Sequence, residues 1–239
     1  MDITPLPAGD IEGAIRFIQE VPFEKLQDAA YIEHVMLPTL GFNNEILEEF
    51  PVSLLPWCGH GIKSWQYPKQ FSKYLVSLSK KNIKSYAEVG CRHGGTFIIT
   101  LEYLKRFNPI ESALAIDIAR SDIMQNYCNS HKNTKYLISS SRSEESISEL
   151  QSRQWDLVLI DGDHSTEGCL HDYIATKNHA KYLALHDVIS DACVGVKNIW
   201  NLITSILPDR KTEAFTEQYD EVITRTGKKF LGLGIAILE

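Results

Sequence analysis

The chain has 239 residues, enough for one sizeable core, and its 44% hydrophobic and 23% charged content is that of an ordinary globular protein, neither disordered nor fibrous. Its formal charge of -7, with no basic run longer than the pairs Lys80-Lys81 and Lys228-Lys229, argues against nucleic-acid binding, which relies on clustered cations. The start MDITPLPAGDIEGA lacks the positive and apolar segments of a secretory signal, and no apolar run approaches the roughly 18 residues that span a bilayer. Five scattered cysteines, odd in number and without a CxxC pair, speak against a disulfide framework or thiolate zinc site. They suit a reducing cytoplasm.

Taken in chain order, the first third predicts helical pieces at Ile11–Ile18, Phe23–Met36 and Asn44–Phe50, interrupted by Pro51, Pro56 and Pro68. Gln70–Lys80 reads as an amphipathic helix with Phe71, Tyr74, Leu75 and Leu78 on one face. Residues 1–82 are therefore expected to form an N-terminal helical cap and lid, and residues 83–239 the core. From residue 84 the pattern changes to short apolar runs alternating with helix-length segments. The strands are expected at Tyr86–Val89, Ala113–Ile118, Lys135–Ile138, Leu157–Ile160 and Tyr182–Leu185. Helices are expected at Thr96–Phe107, Ser121–Asn129, Ser143–Gln151, Thr166–Asn178 and Val194–Ile206. That alternation signals an α/β fold with a parallel sheet covered on both faces. Two last strands, Glu213–Tyr219 and Phe230–Leu238, separated by a short turn at Gly227, complete a Rossmann-like, seven-stranded, mostly parallel sheet with a C-terminal antiparallel hairpin.

The segment AEVGCRHGGTF lies where an open α/β sheet binds ligands, beyond the end of its first strand. Gly90 permits a tight turn, and Gly94 and Gly95 let backbone approach a ligand before the helix begins. Glu88 is a carboxylate that burial makes costly unless it is hydrogen-bonded. Here the sequence resembles the class I S-adenosylmethionine-dependent methyltransferases, whose first motif is an acidic residue followed by x-Gly-x-x-x-Gly; Arg92 replaces the usual middle glycine. The resemblance implies that S-adenosylmethionine sits around Glu88, Gly90, Arg92, Gly94 and Gly95, with Asp117 against its ribose and Ser140 or Ser141 near its adenine. Asp117 read alone is also a plain helix cap, and the serines equally suit a capping box. Trp65 and Tyr67 are candidates to lid the cofactor.

The fourth and fifth strands end in IDGDHSTEG and ALHDV, which brings Asp161, Asp163, His164, His186 and Asp187 to the rim that holds the glycine loop. Such crowding calls for a cation or partner. The stretch Asp161–Trp200 is similar to metal-dependent small-molecule O-methyltransferases of the catechol and natural-product sugar type. That resemblance implies a divalent metal, magnesium by expectation, on Asp161, His186 and Asp187, with Asp161 also bordering the cofactor. His186 stands where an oxygen ligand is usual; either it favours a softer metal or it turns away. His164 falls at the general-base position, with Asp163 as the alternative. His93, His171, Glu167 and Asp172 read as surface groups, and Cys91 and Cys169 as packing residues. The acceptor expected is a small hydroxylated molecule such as a sugar, polyol or phenol, with neither nucleic acid nor membrane as partner and a homo-oligomer left open. A nicotinamide-dependent oxidoreductase would want a tighter Gly-x-Gly-x-x-Gly, and a non-catalytic binding domain has no reason to keep the acids at the rim.

Overall fold

The computed structural model describes residues 3–238; the outer ends of the two expected regions, residues 1, 2 and 239, lie outside them. Helix α1 (Ile11–Glu20) begins where the Asp10 side chain accepts the Gly13 N–H. The run expected as one helix over Phe23–Met36 is split. A short turn at Phe23–Leu26 stops, and Asp28 caps a new start at Ala29 by accepting from the N–H groups of Ala30 and Tyr31. The backbone continues as a π-type turn over Ile32–Met36 and then Leu37–Leu40. The helix expected over Asn44–Phe50 is reduced to one 3-10 turn at Leu47–Glu49. The segment before it is drawn into extended bridges instead: Phe42 pairs with both Cys58 and Ser64, and the Asn43 side chain folds back on the Glu45 N–H at 2.7 Å. Helix α2 (Pro68–Ser79) starts on Pro68, which sits at the first helical position rather than interrupting anything.

From there the strands and helices follow the expected order with shifts of a few residues. They are β1 (Ser85–Val89), α3 (Gly95–Lys105), β2 (Ser112–Asp117), α4 (Asp122–Ser130), β3 (Thr134–Ile138) and α5 (Glu144–Gln151). There follow β4 (Trp155–Ile160), α6 (Thr166–Thr176), β5 (Ala180–His186), α7 (Val194–Ile206), β6 (Thr212–Phe215), α8 (Asp220–Thr226) and β7 (Leu233–Ile237). The sheet order is β3-β2-β1-β4-β5-β7-β6. Strands β3, β2, β1, β4 and β5 are parallel; β7 runs antiparallel between β5 and β6. The last two strands pair as expected, but no short turn joins them. Helix α8 lies between, opened by Asp220 and Glu221 and closed by Gly227 in the left-handed conformation, so that glycine ends a helix and does not turn a hairpin.

The two faces of the sheet carry separate cores. Alternate residues such as Ala87, Val89, Val158 and Ile160 face α6 and α7, where Cys169, Tyr173, Ile199 and Trp200 cover them. Tyr86, Leu157, Leu159 and Ile235 face the other way and are covered by α2, α3 and the N-terminal segments in one continuous cluster. The first 82 residues are thus not a separate layer: Ile18, Leu26, Met36 and Phe42 share a core with the sheet. This docking is close at the start of α3. A Cβ on Gly95 would stand 2.5 Å from the Ile62 carbonyl oxygen and 2.7 Å from the Ser64 nitrogen, both backbone atoms that cannot swing away. Gly95→Val is expected to destabilise the fold by about 1–3 kcal/mol or more, read as a lowered melting temperature. Among the described residues no helix is long and apolar enough to cross a membrane.

Candidate active site

The strand order reverses between β1 and β4, the place where an open α/β sheet leaves a crevice at its carboxyl edge. Backbone contacts build that crevice. The Gly90 N–H donates to the Ile116 carbonyl at 2.8 Å, and the Asp161 N–H donates to that of Val89 at 2.7 Å. Gly90 has φ +85°, and a side chain there would run into the Asp161 carbonyl and Gly162, so only glycine turns the chain at this point. The loop then passes through Arg92, also left-handed at φ +44°, whose N–H donates to Asp117 at 2.6 Å. The other Asp117 oxygen accepts the Ala119 N–H at 2.7 Å. Asp117 is therefore the organiser of the loop tips after β1 and β2. Gly94 turns into the helix with φ +91°, a conformation that side-chain-bearing residues rarely adopt.

These loops wall a cavity of about 880 Å³ that reaches from Ser139–Arg142 past Gly90 and Asp117 to Asp161, His186 and Asp187. Glu88 lines it from β1. Its Oε2 accepts the Tyr86 hydroxyl, its Oε1 is buried without a partner, and burial pushes its carboxyl well above the ordinary range. Ser140 and Ser141 reach the cavity, and neither caps α5; Ser143 does, accepting the Ser146 N–H at 3.1 Å.

At the far end the ionisable groups divide into a cluster and an outlier. The His186 Nδ1 stands 3.0 Å from Asp161 Oδ1 and 3.3 Å from Asp187 Oδ2, yet neither oxygen lies in its hydrogen-bonding direction and the atom is buried without a partner. Asp187 reaches this position through a left-handed backbone, φ +60°, uncommon for a residue with a side chain. One atom each from Asp161, His186 and Asp187 lie within 4.8 Å of one another, close enough for a single ion to touch all three. The His164 Nε2 stands 3.3 Å from Asp161 and 3.5 Å from Asp187, with Nδ1 3.2 Å from the Cys193 sulfur. Burial alone would push His186 down, but the two carboxylates pull it well above the ordinary imidazole value. The Asp161 hydrogen bond, followed by that of Cys193, pushes His164 up to about 11. Asp161 is held down to about 2 by the two imidazoles against the opposing effect of burial. The pair of acids demands positive charge. Asp163 stands outside this cluster: one oxygen accepts the Ser165 N–H at 2.9 Å, the other pairs with Arg142 at 3.0 Å, and its carboxyl lies below the ordinary range chiefly through the Ser165 bond.

Residues 87–188, from β1 to just past β5, match the family described as "Methyltransferase domain". A search of curated proteins finds no match. Among solved structures, the chain is similar to cofactor-bound Rv0187 from MTB, with 14% identity, 99% of each chain covered and a TM-score of 0.51. It is also similar to the O-methyltransferase TomG from Streptomyces achromogenes, in complex with SAM, with 14% identity, 95% of this chain and 96% of that chain covered, and a TM-score of 0.50. The chain shares the Rossmann-like fold of these structures.

Several residues depart from their expected places. Tyr67 does not lid the crevice: it is fully buried, donates its hydroxyl to the Glu49 carbonyl and packs edge-on against Phe50 and Tyr219. Trp65 does face the cavity, under the Arg92 guanidinium at 5.1 Å, with its indole N–H on Glu49. Glu45 joins the N-terminal segment to the loop by pairing with Arg92 and with His93, which hold its carboxyl down at about 2, so His93 is engaged and not idle surface. Asp172 is buried, not a surface charge, because it lies on the face of α6 that carries Cys169 and Tyr173 inward. Ile118, Gln66 and Cys193 went unread in the sequence. Ile118 follows the strand-ending Asp117, and that position was its only signal; it is 78% exposed on the cavity wall. Nothing in the sequence pointed to Gln66, which meets His186 from 120 residues away.

Proposed function

We propose that the protein methylates a hydroxyl of a small molecule with S-adenosylmethionine as donor, and that Asp161, His186 and Asp187 hold a divalent cation beside it. The observation that carries this reading is the junction of the Gly90 turn with Asp161: the loop suited to the donor and the acids suited to a cation share one cavity and one backbone contact. In this reading the cavity wall divides by chemistry. Ile118 offers an apolar face to the adenine, with Ser140 and Ser141 at its edge, and Asp117 has lone pairs left for the ribose hydroxyls. Glu88, with its unpartnered Oε1, suits the donor's ammonium. Gly90, Gly94 and Gly95 fix the loop path, and Arg92, tied to Glu45 and Asp117, closes it.

The residues present fit a cation, because His186 leaves a buried nitrogen without a hydrogen bond between two carboxylates. A divalent ion bound there supplies charge that lowers the pKa of an adjacent hydroxyl. His164 stands on the open side of the cluster, 41% exposed, where its Nε2 takes the acceptor's proton once the carboxylates are shared with a cation. Asp163, tied to Ser165 and Arg142, holds the loop in place instead. The segment before residue 83 contributes Asn43, Ile46, Glu49 and Trp65 to the wall and shapes the acceptor side as a cap. Acids on this rim repel phosphates, which favours a small acceptor over nucleic acid.

Calorimetric titration with S-adenosylhomocysteine tests the donor site. Asp117→Ala is expected to weaken binding about tenfold or more, the loss of charge-assisted hydrogen bonds. Unchanged affinity, with melting temperature retained, would place the donor elsewhere.

A further inference from the structure

We infer that the centre of Asp161, His186 and Asp187 selects a borderline transition-metal ion over magnesium, and that Gln66 is the positioning residue that sets His186 for it. The inference rests on the divalent-cation reading above. Magnesium asks for a near-octahedral shell of oxygens, whereas imidazole nitrogen suits ions such as iron, cobalt or zinc. His186 does not turn away from the acids, the alternative its position left open. Its Nε2–H donates to Gln66 Oε1 at 3.1 Å, and the Gln66 amide is held by donating to Thr96 Oγ1 at 3.3 Å; all three residues are buried. With Nε2 committed as the donor, Nδ1 is the ring atom left to face a cation in place of its proton, and it is buried, unpartnered and beside both carboxylates. Further soft donors stand at the same place. His164 Nε2 lies within 3.5 Å of both carboxylates, and His164, Asp187 and Cys193 form a second set of donor atoms within 4.8 Å that shares Asp187. A shell built for magnesium has no use for two imidazoles and a thiol around two acids.

The test is titration of the metal-stripped full chain with cobalt(II) and with magnesium, followed by calorimetry and by the visible absorption of bound cobalt. Cobalt is expected to bind at least about tenfold more tightly than magnesium. His186→Asp is expected to narrow that gap and change the cobalt spectrum. Gln66→Leu is expected to weaken cobalt about 10–100-fold, with S-adenosylhomocysteine affinity retained, while Gln66→Glu, which keeps an acceptor for Nε2–H, restores it. Magnesium binding as tightly as cobalt would overturn the selection and leave the cation site standing. Binding of neither ion would remove the cation site itself, and an unaltered Gln66→Leu variant would remove the role of Gln66.

Discussion

Asp161→Ala is expected to lower methyl transfer to a hydroxylated acceptor by about 10³-fold or more and to abolish its stimulation by divalent ions. The size follows from how much that one carboxylate does. It is the oxygen nearest His186 Nδ1, it bonds His164, and it sits at the junction of the two halves of the cavity. Removing it leaves Asp187 as the single acid facing two imidazoles. The donor site should survive, because the Gly90 turn touches Asp161 through backbone atoms that alanine keeps. Steady-state rates with and without added metal, paired with titration of S-adenosylhomocysteine, check both halves. Retained metal-stimulated activity would refute the role of Asp161 as a ligand. Loss of cofactor affinity beyond a few-fold would show that its side chain belongs chiefly to the donor.

His164→Ala is expected to lower turnover by about 10²–10⁴-fold while leaving the KM for the donor nearly unchanged, as loss of a general base does. The imidazole is the ionisable ring that reaches from solvent to both carboxylates, and Cys193 fixes its rotation through Nδ1. Cys193→Ala should therefore cost much less than His164→Ala, because it loosens the ring without deleting Nε2. A drop of only a few-fold in the His164 variant would take the proton step away from it. The role would then pass to another group, and Asp163, already committed to Ser165 and Arg142, is poorly placed to take it.

The order of elements from β1 to α7 was legible because short, near-continuous apolar runs report strands buried on both faces of a sheet, and the helix-length stretches between them report its covering helices. The N-terminal third was not. There the backbone is settled by long-range bridges from Phe42 to Cys58 and Ser64 and by the Asp28 cap, neither of which leaves a periodic trace. The turn read at Gly227 failed for a related reason, since a left-handed glycine closes helices as well as hairpins. Within the site, strand-end residues such as Asp161, His186 and Asp187 could be assigned to one rim from topology alone. Gln66 and Glu45 could not, as each meets its partner across 47 or more residues of chain with no periodic pattern to mark the contact. Asp172 shows the same limit in reverse: helix phase, not charge, decides that it is buried.

The most direct measurement is diffraction from crystals grown with S-adenosylhomocysteine and cobalt(II), using the anomalous signal of the metal. A peak among Asp161, His186 and Asp187, with the cofactor sulfur turned toward it and the ribose at Asp117, is the predicted result. A cofactor bound away from the Gly90 turn, or a metal peak anywhere but this cluster, would contradict the account.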